Sequence, residues 1–307
     1  MALSPNAKVF NFFLKYGIKP VQVFLPTDRP FVMLGLRKIV NTGRRLINRA
    51  PAFVAIQQVD AGGVPGEWVT AGSAVDSKRI IFYLHGGGYF FCSPKTHRAI
   101  TWRLSRETTA RVLSLDYRMA PEFTVDDCRT DAVSAYCWLL DQGHAPENIV
   151  IGGDSAGGGL TLLTLQALKQ RGVPLPLAAF CLSPFADMSR TSPTFITNAK
   201  KSHLFHKNAL RKVEAYLSAG RDPYDPAISP AFGDFSGLPP LFIQAADTEL
   251  LLHDSLLVAK NALKAGVPVD LNIWHNLPHV FSVFADILPE GKRGIKEIAG
   301  FVNRRFS

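Results

Sequence analysis

The chain has 307 residues, of which 47% are hydrophobic, 10% aromatic and 19% charged. That is enough apolar material for a large core and excludes a disordered or fibrous polypeptide. A formal charge of +9, from 34 Lys and Arg against 25 Asp and Glu, raises a nucleic-acid or anionic-membrane partner. The surplus is local, however: Lys8, Lys15, Lys19, Arg29, Arg37, Lys38, Arg44, Arg45 and Arg49 stand against Asp28 alone, so residues 1–50 carry +8 and the remainder +1. A body at +1 has no basic face for a phosphate backbone and shows no recognition motif, so nucleic acid is not an expected partner.

Residues 1–50 read as two amphipathic helices. Lys8, Asn11, Lys15 and Lys19 recur three or four apart on one face of the first; Val32, Leu36, Ile39/Val40 and Leu46/Ile47 form an apolar face on the second. Lys8, Lys15, Lys19 and Pro20 break the apolar runs, and no small-residue cleavage site follows them. Nothing approaches the roughly 18 uninterrupted apolar residues of a spanning helix. Cys92, Cys128, Cys137 and Cys181 lie far apart in apolar stretches without a C-x-x-C pair, which suits small buried thiols in a reducing compartment. The expectation is a soluble, cytoplasmic protein.

Beyond residue 50, β-branched and aromatic runs predict strands at 54–59, 66–70, 80–84, 111–116, 149–152, 178–182, 241–245 and 269–274. From the third strand onward helical stretches intervene near 96–108, 127–141, 156–171, 253–265 and 291–304. This alternation predicts an α/β fold: an eight-stranded, mostly parallel sheet with helices on both faces. Residues 186–225 do not fit the alternation and contain a helix-like run from Asn208 to Leu217. The predicted organisation is therefore 1–50 as N-terminal cap helices, 51–185 as the first part of a catalytic core, 186–225 as a cap insertion and 226–307 as the second part, with the cap over the carboxyl edge of the sheet.

The sharpest motif is Gly153-Asp154-Ser155-Ala156-Gly157-Gly158, a G-x-S-x-G between a strand and a helical run. A serine in such a turn adopts a strained backbone to present its hydroxyl, and the crowded positions on either side require glycine. Ser155 is thus a candidate nucleophile. His85-Gly86-Gly87-Gly88 follows the third strand; its glycines let backbone N–H groups approach a substrate oxygen, making an HGGG-type oxyanion loop. Gly86, Gly87 and Ala156 are assigned as donors and His85 as an orienting residue. No Lys-bearing or G-x-G-x-x-G phosphate loop is present. The base and acid should follow in the chain order Ser, Asp/Glu, His. His279, in the turn Leu277-Pro278-His279-Val280-Phe281, is preferred as base over His275 and over His253, which opens a helix. Asp247, at the end of the seventh strand, is preferred as acid over Glu249 and Asp254. His275 and His279 lack the companions of a metal site.

With these residues the chain resembles the bacterial esterases related to hormone-sensitive lipase, within the α/β-hydrolase fold. The resemblance rests on His85 to Gly88, Asp116-Tyr117-Arg118-Met119-Ala120-Pro121-Glu122, the Gly153 to Gly158 elbow, Asp247 near Asp254-Ser255, and His279-Val280-Phe281. It covers about residues 50–285 and is similar to the GDSAG subgroup. It implies hydrolysis of short- to medium-chain carboxylic esters, no metal or cofactor, and a cap made of the two misfit segments. The triple-glycine loop is also similar to that of esterases accepting tertiary-alcohol esters. Two departures stand out: Phe123-Thr124-Val125-Asp126-Asp127 replaces a proline-rich step, and Cys92 replaces a glycine.

The expectation is a serine carboxylesterase using Ser155, Asp247 and His279. The alternatives are a lactone hydrolase, a lipid-surface lipase, or a non-catalytic ligand receptor of the same fold. The expected partner is a small-molecule ester; the basic surplus of residues 1–50 reads as the solvated outer face of a cap, with peripheral contact with an anionic lipid surface as the alternative, and a homodimer is left open.

Overall fold

The computed structural model describes residues 2–24, 29–47, 50–189 and 191–306. Asp28 and Arg49 lie outside the described residues, as do the side chains of Arg44, Arg45, Leu46 and Ile47. The strands are β1 (Val54–Asp60), β2 (Pro65–Ala71), β3 (Ile80–Leu84), β4 (Arg111–Leu115), β5 (Ile149–Asp154), β6 (Ala178–Leu182), β7 (Leu241–Ala246) and β8 (Val269–Trp274). They form one sheet in the order β1-β2-β4-β3-β5-β6-β7-β8. Only the β1–β2 and β2–β4 pairings are antiparallel.

The longer helices are α1 (Pro5–Phe13), α2 (Pro30–Ile47), α3 (Arg98–Thr108), α4 (Val125–Asp141), α5 (Ala156–Gln170), α6 (Lys207–Ser218), α7 (Leu252–Lys264) and α8 (Pro289–Phe306). Strand alternation divides the core in two. Ile80, Phe82 and Leu84 pack with α4, α5 and α7 on one face, while Ile81 and Tyr83 pack with α3 and α8 on the other. Strands buried on both faces explain why β3 reads as a continuous apolar run.

Helix α4 starts at Val125, two residues before the expected 127, because Phe123 to Asp127 contains a capping box. The Thr124 hydroxyl accepts from the Asp127 N–H, and the Asp127 carboxylate accepts from the Thr124 N–H. The unusual step after Pro121-Glu122 is therefore a helix start.

Helix α1 continues through a π-helical stretch, Leu14–Ile18, and a last turn ending at Val21. Its expected polar face is not uniformly solvated. Asn11 is buried and donates to the Asn276 carbonyl at 2.9 Å. Lys19 donates to the carbonyls of Ala199 and Ser202, each at 2.7 Å, and Gln22 donates to the Leu204 carbonyl at 2.7 Å. In α2 the inward side is the buried Met33 and the half-buried Leu36 and Val40, and Ile39 faces solvent, because Arg37 occupies the neighbouring inward position. Its guanidinium pairs with both Glu122 oxygens at 2.9 Å and donates to the carbonyls of Phe90 and Ala120. Among the described residues, no helix is long and apolar enough to cross a membrane.

Candidate active site

Ser155 sits in the turn between β5 and α5 at φ 53°, ψ −118°, a strained conformation for a residue with a side chain. The turn is held by Ser155 N–H donating to the Leu182 carbonyl and Phe185 N–H donating to the Ser155 carbonyl, both at 2.8 Å. Gly157 is obligatory there, since a Cβ would strike the Leu84 carbonyl.

The Ser155 hydroxyl lies 2.8 Å from His279 Nε2, and His279 Nδ1 lies 2.5 Å from Glu249 Oε2. All three residues are buried. Glu249 is further fixed through Oε1, which accepts from the Ser183 hydroxyl at 2.8 Å and the Ala246 N–H at 2.6 Å. The Val280 N–H donates to the same Ser183 hydroxyl at 3.3 Å, so one serine ties the acid to the histidine loop.

The expected acid, Asp247, is not in this chain of contacts. Its carboxylate receives the Asn276 N–H at 2.7 Å and lies 2.6 Å from Nδ1 of the exposed His275. The cause is a tight turn after β7: the Glu249 N–H donates back to the Ala246 carbonyl at 3.2 Å. This carries Glu249 over the strand end and leaves Asp247 bonded to β8 through the Trp274 carbonyl. Asp254 is inside α7 and receives the N–H groups of Ala186 and Asp187 at 2.9 and 3.0 Å, organising the loop after β6. Burial, with Asp187 nearby, pushes its carboxyl well above the usual range.

A second correction concerns Gly86. Its N–H is used internally, donating to Asp154 Oδ1 at 2.9 Å, and a Cβ there would collide with Asp154. Asp154 also receives the Tyr83 hydroxyl at 2.7 Å and stands 3.3 Å from His97 Nε2. It thereby ties the serine turn to the glycine loop. Gly87 and Gly88, not Gly86, line the cavity in front of Ser155. Both have positive φ, 120° and 63°, and a Cβ on Gly87 would meet the Phe91 carbonyl. No described hydrogen bond uses either N–H, and Ala156, as the first residue of α5, has an N–H without an intrahelical acceptor. His85 stacks on Tyr117 at 4.5 Å, its Nδ1 lies 2.8 Å from the Gly86 carbonyl, and Tyr117 donates to the His85 carbonyl at 2.6 Å. Residues 116–122 thus support the loop from below, with Ala120 N–H donating to the Tyr89 carbonyl.

The cavity above Ser155 has a volume of about 430 Å³. Ile18 and Val21 from the end of the first helical segment, Leu36 and Val40 from α2, and Leu210 and Val213 from α6 contribute its apolar walls. The Phe205 ring packs 4.9 Å from the His279 ring. Cys92 is buried in this lining. His275 and His279 go to different carboxylates, and no group of three His, Cys, Asp or Glu among the described residues is placed to hold a metal ion.

Residues 81–283 match the family described as having the alpha/beta hydrolase fold. The chain is 42% identical to an acetyl-hydrolase from Streptomyces hygroscopicus over 242 residues, covering 79% of this chain and 80% of that protein. It is 31% identical to an esterase from Acinetobacter venetianus over 294 residues, 95% of this chain and 96% of that protein. A crystal structure of an esterase from the bacterial hormone-sensitive lipase family superposes over 100% of both chains with a TM-score of 0.91 and 37% identity. The chain therefore belongs to the α/β-hydrolase-fold family and, within it, to the hormone-sensitive-lipase-type esterases, which are carboxylic ester hydrolases.

Proposed function

We propose that the chain hydrolyses short- to medium-chain carboxylic esters with Ser155 as nucleophile, His279 as general base and acid, and Glu249 as the carboxylate that orients the imidazole. The observation carrying this reading is the continuous line Ser155 Oγ, His279 Nε2, Nδ1, Glu249 Oε2 on the floor of an apolar cavity. His279 takes the Ser155 proton as the oxygen attacks the ester carbonyl, and Glu249 stabilises the resulting imidazolium. The N–H groups of Gly87, Gly88 and Ala156 receive the negative charge on the carbonyl oxygen. The alcohol leaves with the proton from His279; water then gives a proton to His279 as it attacks the acyl-serine, and the acid leaves as that proton passes from His279 to the Ser155 oxygen.

The apolar walls and the cavity volume favour an uncharged ester of modest size. Turnover of p-nitrophenyl esters from acetate to palmitate is expected to peak at about four to eight acyl carbons. A maximum at palmitate would overturn the chain-length reading. Ser155→Ala is expected to lower turnover by roughly 10³-fold or more, and a fluorophosphonate probe should label Ser155 in the native enzyme. Retained activity in the variant, or an unlabelled Ser155, would sink the nucleophile assignment.

A further inference from the structure

The outward sides of α1 and α2 carry side chains of the kind usually found in a core. On α1, Ala7, Asn11 and Leu14 are buried against the body. Val9, Phe12, Phe13 and Tyr16, at i, i+3, i+4 and i+7, share the opposite face, each between 54% and 70% exposed. The rings of Phe12 and Tyr16 pack together at 4.8 Å, and Lys15 Nζ lies 5.9 Å from the Tyr16 centroid. On α2, Phe31, at 69% exposed, lies opposite the buried Met33, and the exposed Leu34 lies between them. Phe24, just beyond the first helical segment, is 84% exposed. Leu36 and Val40 of α2 and Ile18 and Gln22 of the first segment line the catalytic cavity, so both outward faces look away from the same cavity. Single exposed apolar residues are ordinary; a periodic set on the far side of helices that line one cavity is not.

Charge identifies the occupant. Lys8 and Lys15 run along the flank of the α1 stripe, Arg29 and Lys38 accompany the α2 stripe, and Asp28 is the only acid in residues 1–50. Lys19 is engaged by backbone carbonyls and is not counted. A second copy on this face would set Lys8, Lys15, Arg29 and Lys38 against the same cations. The partner that fits is extended, anionic and apolar beneath its charge. We propose that the outward faces of α1 and α2 dock the protein onto an anionic lipid surface, with Phe12, Phe13, Tyr16 and Phe31 entering the headgroup boundary and the lysines meeting lipid phosphates.

The test is co-sedimentation of the full chain with phosphatidylcholine vesicles and with vesicles containing about one quarter phosphatidylglycerol, at low salt and at ~0.5 M salt. The wild type should bind the anionic vesicles, and added salt should weaken the binding. Combined Phe12→Ser, Phe13→Ser, Tyr16→Ser and Phe31→Ser substitutions should weaken it by about tenfold or more. Lys8→Glu, Lys15→Glu and Lys38→Glu together should abolish the preference for anionic vesicles. Unchanged hydrolysis of dissolved p-nitrophenyl butyrate by both variants shows that fold and catalytic site are intact, so this test is independent of the hydrolytic reading. Absence of binding by the wild type at low salt, or undiminished binding by the aromatic variant, would overturn the proposal. So would a dimer in sedimentation equilibrium that the same four aromatic substitutions dissociate, because the face would then belong to a second copy.

Discussion

Glu249 receives three hydrogen bonds while buried, from Ser183, Ala246 and His279. Neutralising it removes the acceptor that holds the His279 tautomer and the charge that stabilises the imidazolium. Glu249→Gln should therefore lower kcat by about 10²- to 10⁴-fold. Asp247→Asn, at a carboxylate bonded to the exposed His275 and the Asn276 amide, should leave kcat within about threefold. Steady-state kinetics on the pair decides between the two acids, and the reverse ranking would return the role to Asp247. Asp254 governs a different property. Its raised carboxyl lets the folded state keep a proton that the unfolded chain releases at about pH 4. Stability should thus fall as pH rises from about 4 towards that raised value, and Asp254→Asn should flatten this part of the slope. Urea midpoints across pH 4 to 8 give the measurement; an unchanged slope would contradict it. Ser155 and His279 were legible in the sequence because each stands in a turn directly after or near a strand end. The choice between Asp247 and Glu249 depended on how tightly residues 246–249 turn, and composition does not encode that. Gly86 and Gly88 are likewise indistinguishable until Asp154 is seen to claim one of their N–H groups.

Among the elements, the strands and helices of the core fall within two residues of the bounds read from apolar runs. A buried parallel sheet leaves long unmixed stretches such as Ile80 to Leu84, which are hard to misplace. The N-terminal helices were harder. Their inward faces include Asn11 and Arg37, polar residues satisfied by carbonyls and a carboxylate far along the chain, so periodicity alone misassigned Ile39. The first segment is fastened over the cavity by Lys19 and Gln22, which reach the 199–206 stretch, where Gln22 also accepts the His206 N–H at 3.1 Å. Lys19→Ala removes two bonds from a charged donor and should destabilise this junction by about 1–3 kcal/mol. Limited proteolysis between residues 20 and 30 should accelerate, and KM for dissolved esters should rise severalfold with kcat nearly unchanged. A drop in kcat without a change in proteolysis would refute this role.

Across the whole molecule, close packing is reported by the cysteines. Cys92, Cys128 and Cys181 are buried and Cys137 is half-buried. Burial raises the thiol of Cys128 and pushes that of Cys181 up to about 12. The native protein should react slowly with Ellman's reagent, Cys137 first, and show all four thiols in denaturant. Rapid native reaction of Cys181 would mean the sheet opens far more readily than its burial implies.

The path of the first fifty residues has its own consequence. Ser4 donates through its N–H and hydroxyl to Glu290 of α8, and Asn11 reaches Asn276 beyond β8. Arg37 reaches the loops after β3 and β4, and the chain then enters β1 at the opposite edge of the sheet. These contacts run from α8 and the turn after β8 to the loops after β3 and β4, and the Ser4–Glu290 contact spans 286 residues of chain. At ribosomal rates, roughly 15 to 60 s pass between synthesis of Ser4 and synthesis of its partner. Until then α1 lacks its partners Asn276 and Glu290, although α2 can already seat on the loops after β3 and β4. The α1 side of the pocket wall is made before the sheet it covers and closes after it.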